Sequence, residues 1–347
     1  MTTIDFDGEA AYVLRDGDGA QAVVLPSIGN NCIAFQVPVA GRPAYLLSTP
    51  PSVAVLRSRP TFWGFPILSP YPGRHQTPFR WLDKEFHVLA NDRPGVALHG
   101  IVAGAPWEVV SVTEEALTSR FDSERFPGRG ERWPWPYELT AQYRVDGGAL
   151  QLRLSVTNRG DVDVPHLLGL HPYLPVRVTP ERPLPDGALP TAADLAGPEA
   201  GGWRRSCLVW VEADHLWEMQ QGLGTGTIRE LQGGWDLRAP QAVAELEQRL
   251  APPPGPGPFG GNGHASGPRL PVLLYGKRSA LEVAWDGQLS DAPGGITSGL
   301  TDLASNVQVT LQASLGFGSL ALFCPPGQPF ISLEPRSAVS DALTLMH

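Results

Sequence analysis

Apolar and polar residues alternate with a period of two through the middle of the chain. In Glu138–Val145 (ELTAQYRV), Leu139, Ala141, Tyr143 and Val145 share one face; in Ala149–Thr157 (ALQLRLSVT), Leu150, Leu152, Leu154 and Val156 do the same. Such a period marks a strand with one buried face, and the Gly-rich link Asp146–Gly148 between the two segments predicts an antiparallel hairpin. The last third repeats the pattern. SALEVAW places Leu281, Val283 and Trp285 on one face, and NVQVTLQA places Val307, Val309, Leu311 and Ala313 on another; SLALFC and FISLEP follow turn signals. Closely spaced strands separated by Gly and Pro predict an all-β protein, a large antiparallel β-sandwich with few short helices. The best helical segment is Pro240–Leu250, which has proline near its start and prolines just after its end.

Composition sharpens this picture. The 39 glycines and 36 prolines among 347 residues call for many turns. Pro and Gly dominate the stretch 251–271, which lacks any periodicity. Because the strand pattern resumes directly after it, it reads as a flexible insertion in a single domain spanning 1–347, rather than a linker between two. A net charge of -9 without any basic stripe argues against nucleic acid as a partner. Cys32, Cys207 and Cys324 are far apart and odd in number, which suits a reducing compartment. No signal-peptide pattern and no long apolar run is present, so the expectation is a soluble, cytoplasmic protein that does not engage a membrane.

Four stretches carry candidate chemistry: FWGFPILSPYPGRH (Phe62–His75), ALHGI (Ala97–Ile101), GLHPYLPV (Gly169–Val176) and FISLEPRSAVSDAL (Phe330–Leu343). In GLHPYLPV, Pro172 cannot donate to a sheet ladder, so it marks an edge, a strand start or a bulge that aims His171. Glu334 closes an apolar strand, where an unpaired carboxylate would be costly. His171, His99, Glu334 and Arg74 together make an acid/base set suited to a polyhydroxylated substrate: imidazole titrates near neutrality, a carboxylate serves as base, and a guanidinium offers donors to hydroxyls. Trp63 or Trp81 are candidates to stack on a sugar ring. His75, His87, His166, His215 and His264 are read as structural or surface residues.

The order Pro-x-Pro-x-Arg (Pro70–Arg74), Leu-His-Gly (Leu98–Gly100), Gly-x-His-Pro-Tyr (Gly169–Tyr173) and Glu-Pro (Glu334–Pro335) resembles the aldose 1-epimerase, or galactose mutarotase-like, family, over roughly Gly64 to Leu343. The resemblance implies a large antiparallel β-sandwich that interconverts the α and β anomers of a free sugar without metal or cofactor. It implies Glu334 as the base for the C1 hydroxyl and His171 as the acid for the ring oxygen, with His99 near that oxygen and Arg74 on a hydroxyl. Asp302 is the candidate for a further sugar-binding carboxylate. Two positions depart from the family pattern: Gly73 stands where asparagine is common, and Leu174 where an aromatic usually follows His-Pro-Tyr.

Other readings of the same residues remain. A hexose-6-phosphate 1-epimerase would need added cations, for which Arg80 and Arg129 are candidates. A non-catalytic sugar-binding protein would use the same pocket without a matched acid and base. An iron site built from two histidines and a carboxylate is disfavoured, because Ile101 and Tyr173 stand where a His-x-Asp/Glu pair would place a ligand. The sequence leaves the identity of the sugar and the oligomeric state open.

Overall fold

The alternating segments form the expected hairpin. Strand Tyr137–Asp146 pairs with Ala149–Asn158 down to Asp146 opposite Ala149, so the turn is Gly147–Gly148. Both glycines have positive φ (56° and 74°), the geometry of a two-residue hairpin turn whose twist matches its strands. Tyr137, Leu139, Ala141, Tyr143 and Val145 are all buried, as the period of two requires. This is a computed structural model; it describes residues 2–345 except 181–183, 185–187, 192–193, 196–199, 251–271, 276–292 and 326. The SALEVAW segment and the 251–271 stretch lie outside the described residues.

The hairpin belongs to a four-stranded sheet with Glu108–Val112 and Ala116–Asp122. The first five strands, between Thr2 and Tyr45, form a meander in sequence order. Another four-stranded sheet contains Cys207–Val211, Pro293–Asp302 and Val307–Ser314. The largest sheet has eight strands and centres on Ser319–Phe323 and Phe330–Arg336. Every ladder between these named strands is antiparallel. One core joins the sheets: Leu14 and Val24, Tyr143 and Val145, Val209 and Val211, and Leu320, Leu322 and Leu333 pack in a single cluster. The all-β sandwich expected from the sequence is therefore the fold.

The predicted helix begins three residues late, at Val243–Leu250. Gln241 and Ala242 instead pair with Val209 and Leu208, because the open edge of that strand takes their backbone groups before the helix starts. Strand Phe330–Arg336 is buried along its whole length, Glu334 and Arg336 included. A strand covered on both faces and still carrying two charges is unusual and marks where chemistry is placed. The cysteines are free and buried. Among the described residues, no helix is long and apolar enough to cross a membrane.

Candidate active site

Two short strands, Gly169–Leu170 and Tyr173–Pro175, both pair with Phe330–Arg336. Gly169 lies opposite Arg336 and Tyr173 opposite Ser332, so the register is unchanged across the gap and His171 stands across from Glu334. Pro172 interrupts the ladder without shifting it. The backbone N–H groups of His171 and Tyr173 turn to the other side, donating to Pro66 O (3.0 Å) and Gly64 O (2.9 Å). Facing cross-strand positions bring side chains into contact, and His171 Nε2 lies 3.2 Å from Glu334 Oε1. The acid and base candidates therefore stand side by side.

Glu334 is 1 % exposed and has a charge partner on its second oxygen, Arg336 Nη2 at 2.5 Å. The two residues are two apart on one strand and so project from the same face. Arg336 Nη1 donates to Ser340 Oγ (3.0 Å), while Arg336 Nε has no protein partner. This buried cation is a site residue that motif reading passed over. The signal was the strand period: Arg336 shares the face of Glu334.

His171 is held on its other edge and over its ring. Nδ1 is 2.8 Å from Ser332 Oγ, which donates to Pro172 O (2.8 Å). The ring stacks on Tyr173 at 4.5 Å and 8°, and the Tyr173 hydroxyl donates to Thr61 O (3.0 Å). Burial pulls the His171 imidazolium below the ordinary histidine value, and the Glu334 carboxylate opposes that pull. Burial raises the Tyr173 phenol well above its usual range, and Glu334 adds to the shift.

His99 faces this pair with ring centroids 5.5 Å apart at 73°. It follows the short strand Val96–Leu98, which pairs with Arg74–Gln76. The His99 N–H donates to Gly73 O (3.0 Å), and the Gly73 N–H donates back to His99 Nδ1 (3.1 Å). Nδ1 is thus an acceptor and carries no proton, which leaves Nε2–H as the donor. Burial drives His99 well below the ordinary histidine value, with nearby His171, Arg336 and Arg74 adding to the effect, so it stays neutral. His99 has φ of 62° and is followed by Gly100 at 67°. A Cβ on Gly100 would meet Ser69 O at 2.1 Å, so only glycine lets this turn press against the 69–70 backbone.

Arg74 lies at the rim of the site. Its Nε and Nη2 bond Asp92 Oδ2 and Oδ1 at 2.9 and 3.3 Å, and Arg93 also reaches Asp92. The Arg74 carbonyl accepts from Asp341 N (2.7 Å), which ties its strand to the C-terminal segment.

Asp302, the expected further sugar-binding carboxylate, has its hydrogen bonds elsewhere. It is fully buried at the end of Pro293–Asp302, where its oxygens accept from Val178 N (3.1 Å), Ala304 N (3.0 Å), Ser305 N (3.3 Å) and Ser305 Oγ (2.7 Å). A carboxylate so occupied holds a turn and has little left for a ligand. The carboxylate beside Arg74 is Asp92, which sequence reading missed because NDRPG resembles an ordinary turn.

Aromatic side chains flank the acid/base pair. Phe62 packs against Tyr173 (5.0 Å), Phe330 (5.4 Å) and Trp63 (5.4 Å), and Phe323 meets the His171 ring at 6.1 Å. Trp63 has φ of 114°, a rare conformation for a bulky residue and one that concentrates near functional sites. Trp81 lies elsewhere, packed on the second, aromatic core and donating to Asp163 O. Among the described residues no three His, Cys, Asp or Glu side chains are grouped as metal ligands.

Residues 10–187 match the family model for aldose 1-epimerase, a span that holds Arg74, His99 and His171. No curated protein sequence matches the chain. A galactose mutarotase-like protein from Clostridium acetobutylicum has the same fold, with a TM-score of 0.71 at 17 % identity, covering 99 % of this chain and 89 % of its own. An aldose epimerase homologue from C. elegans aligns with a TM-score of 0.67 at 15 % identity, over 96 % of this chain and 91 % of its own. A galactose mutarotase-like protein from Lactobacillus casei gives 0.62 at 16 % identity, over 95 % and 88 %. With the model covering half of the chain and the fold shared along nearly all of it, this chain belongs to the aldose 1-epimerase family.

Proposed function

We propose that the protein interconverts the α and β anomers of a free aldose, with Glu334 as general base and His171 as general acid. The observation that carries this reading is the cross-strand contact of His171 Nε2 with Glu334 Oε1 at 3.2 Å. The C1 hydroxyl and the ring oxygen of a cyclic aldose are bonded to the same carbon. A base for one and an acid for the other must therefore be neighbours, not residues on opposite walls of a cleft. Glu334 takes the proton of the C1 hydroxyl while His171 Nε2–H protonates the ring oxygen, and the C1–ring oxygen bond breaks. A C1 carbonyl forms, the C1–C2 bond rotates, and the ring closes on the other face with both transfers reversed. Each proton moves between Glu334 or His171 and a sugar oxygen, and no further reactant is consumed.

The remaining residues take supporting parts. His99, neutral and fixed as an Nε2–H donor, hydrogen-bonds beside the ring oxygen. Arg74 and Asp92 present a donor and an acceptor to hydroxyls at the rim. Phe62 and Phe323 offer apolar surface to the C–H face of the ring. Arg336 supplies the counter-charge a buried carboxylate needs. A free sugar is favoured over a phosphosugar because the cations at the site already have anionic partners: Arg336 on Glu334, and Arg74 with Arg93 on Asp92. Arg80 is exposed on a separate small hairpin, opposite Glu85.

Polarimetry on freshly dissolved α-D-glucose and α-D-galactose tests the proposal. The wild type should hasten anomeric equilibration, and Glu334→Gln and His171→Asn should each lose about 10²–10⁴-fold of that acceleration. No acceleration with either sugar or with other free aldoses would reject it.

A further inference from the structure

We propose that Ser332 is a positioning residue that assigns the protons of His171, keeping Nδ1 a permanent donor so that Nε2 alone exchanges protons with substrate. The proposal deepens the reading of His171 as the acid and rests on it. Ser332 is fully buried on strand Phe330–Arg336, directly opposite Tyr173. Its hydroxyl lies 2.8 Å from His171 Nδ1 and 2.8 Å from Pro172 O. A serine hydroxyl has one hydrogen. A carbonyl can only accept, so both contacts are hydrogen bonds only when that hydrogen goes to Pro172 O and the oxygen accepts from Nδ1–H.

The reaction favours this arrangement on independent grounds. When His171 is ready to act as acid, both of its nitrogens carry hydrogen, and Ser332 must then accept from Nδ1. After Nε2 has given up its proton, the same arrangement leaves the Nδ1–H tautomer with no rotation of the hydroxyl. One preset network therefore serves both protonation states, the economy expected of a preorganised site. The charged and titratable groups around the ring are Glu334 and the Tyr173 hydroxyl (3.3 Å) at Nε2, the Tyr173 ring stacked on it, His99 edge-on and Arg336 beyond Glu334. None of them meets Nδ1; the contact there is Ser332. His99 is wired in the opposite sense, with Nδ1 accepting from Gly73 N–H. Two histidines that face each other thus hold opposite tautomers, one donating steadily from Nε2 and one exchanging at Nε2.

The experiment is nitrogen NMR of protein labelled with ¹⁵N-histidine, with the His171 signals identified by their loss in His171→Asn, read at a pH where the ring is neutral. The wild type should show the Nδ1–H tautomer at His171, and Ser332→Ala should populate the Nε2–H tautomer. In parallel, Ser332→Ala should lower kcat for anomer exchange about 10–100-fold with little change in KM, and Ser332→Thr should restore most of it. An Nε2–H tautomer in the wild type, or a tautomer unchanged in Ser332→Ala, would overturn the assignment. The spectrum reads the proton position whether or not any sugar is turned over, so failure here is distinct from failure of the anomerase reading. If Ser332→Ala does not fold, the wild-type and Ser332→Thr spectra still decide.

Discussion

Arg336 fills the space that a side chain at position 73 would need. A Cβ built on Gly73 would stand 2.5 Å from Arg336 Nη1 and 2.3 Å from Ser340 Oγ, at a backbone φ of 73°. The glycine in the PYPGR stretch is therefore matched to the arginine in LEPRS, more than 250 residues away in sequence. Gly73→Ala should destabilise the protein by about 1–3 kcal/mol through left-handed strain and overpacking. It should also reduce anomerisation, because the displaced guanidinium holds Glu334. Urea denaturation and polarimetry on the same variant check both effects. A variant of unchanged midpoint and rate would show that Arg336 yields freely.

Arg336 and Glu334 should behave as one unit. Arg336→Met leaves a buried carboxylate without its cation and should cost about 3–5 kcal/mol. Glu334→Gln combined with Arg336→Met removes both charges and should recover a large part of that loss, though not the activity. A double-mutant cycle from denaturation midpoints measures the coupling. Additive single and double effects would contradict it.

The two aspartates should separate cleanly. Asp302→Asn removes a buried acceptor that holds the turn through Ala304 and Ser305 and the segment at Val178, and should cost about 1–3 kcal/mol. KM for the sugar should hardly change. Asp92→Asn should do the reverse, raising KM while leaving the denaturation midpoint near that of the wild type. Paired kinetics and denaturation of the two variants give the answer, and a raised KM in Asp302→Asn alone would reverse the assignment.

Stability should fall on mild acidification because of two buried histidines outside the acid/base pair. Burial pushes His75 and His166 each down to about 3 in the folded protein. Unfolded histidine titrates near 6.5, so between these values the unfolded chain binds more protons than the folded one. The contribution is fully present above about pH 6.5 and is lost progressively as pH falls toward 3, at about 1.4 kcal/mol per pH unit for each histidine. Urea midpoints measured at several pH values from neutral downward should therefore decline, and His166→Gln should make the decline shallower. Equal slopes in the two proteins would show that His166 does not stay neutral.

The sequence by itself determined the local structure and the residue types of the site. Alternation predicted a strand over Glu138–Val145, and the Gly-rich link Asp146–Gly148 predicted its turn, because side-chain period and backbone freedom are properties of neighbouring residues. The same reading picked out His171, His99 and Glu334, which fold to one place. Only the tertiary structure decided their relation. The unchanged register on Phe330–Arg336 sets His171 across from Glu334 and gives Ser332 to His171 Nδ1, with Arg336 on the same face as counter-charge; contacts in other sheets put Asp302 in a turn and Asp92 on Arg74. Periodicity reports which face of a strand is buried, but not which strand lies beside it or in what register. Those are settled by packing between segments far apart in the chain, where burying a charge or hydroxyl is favourable only once its partner arrives.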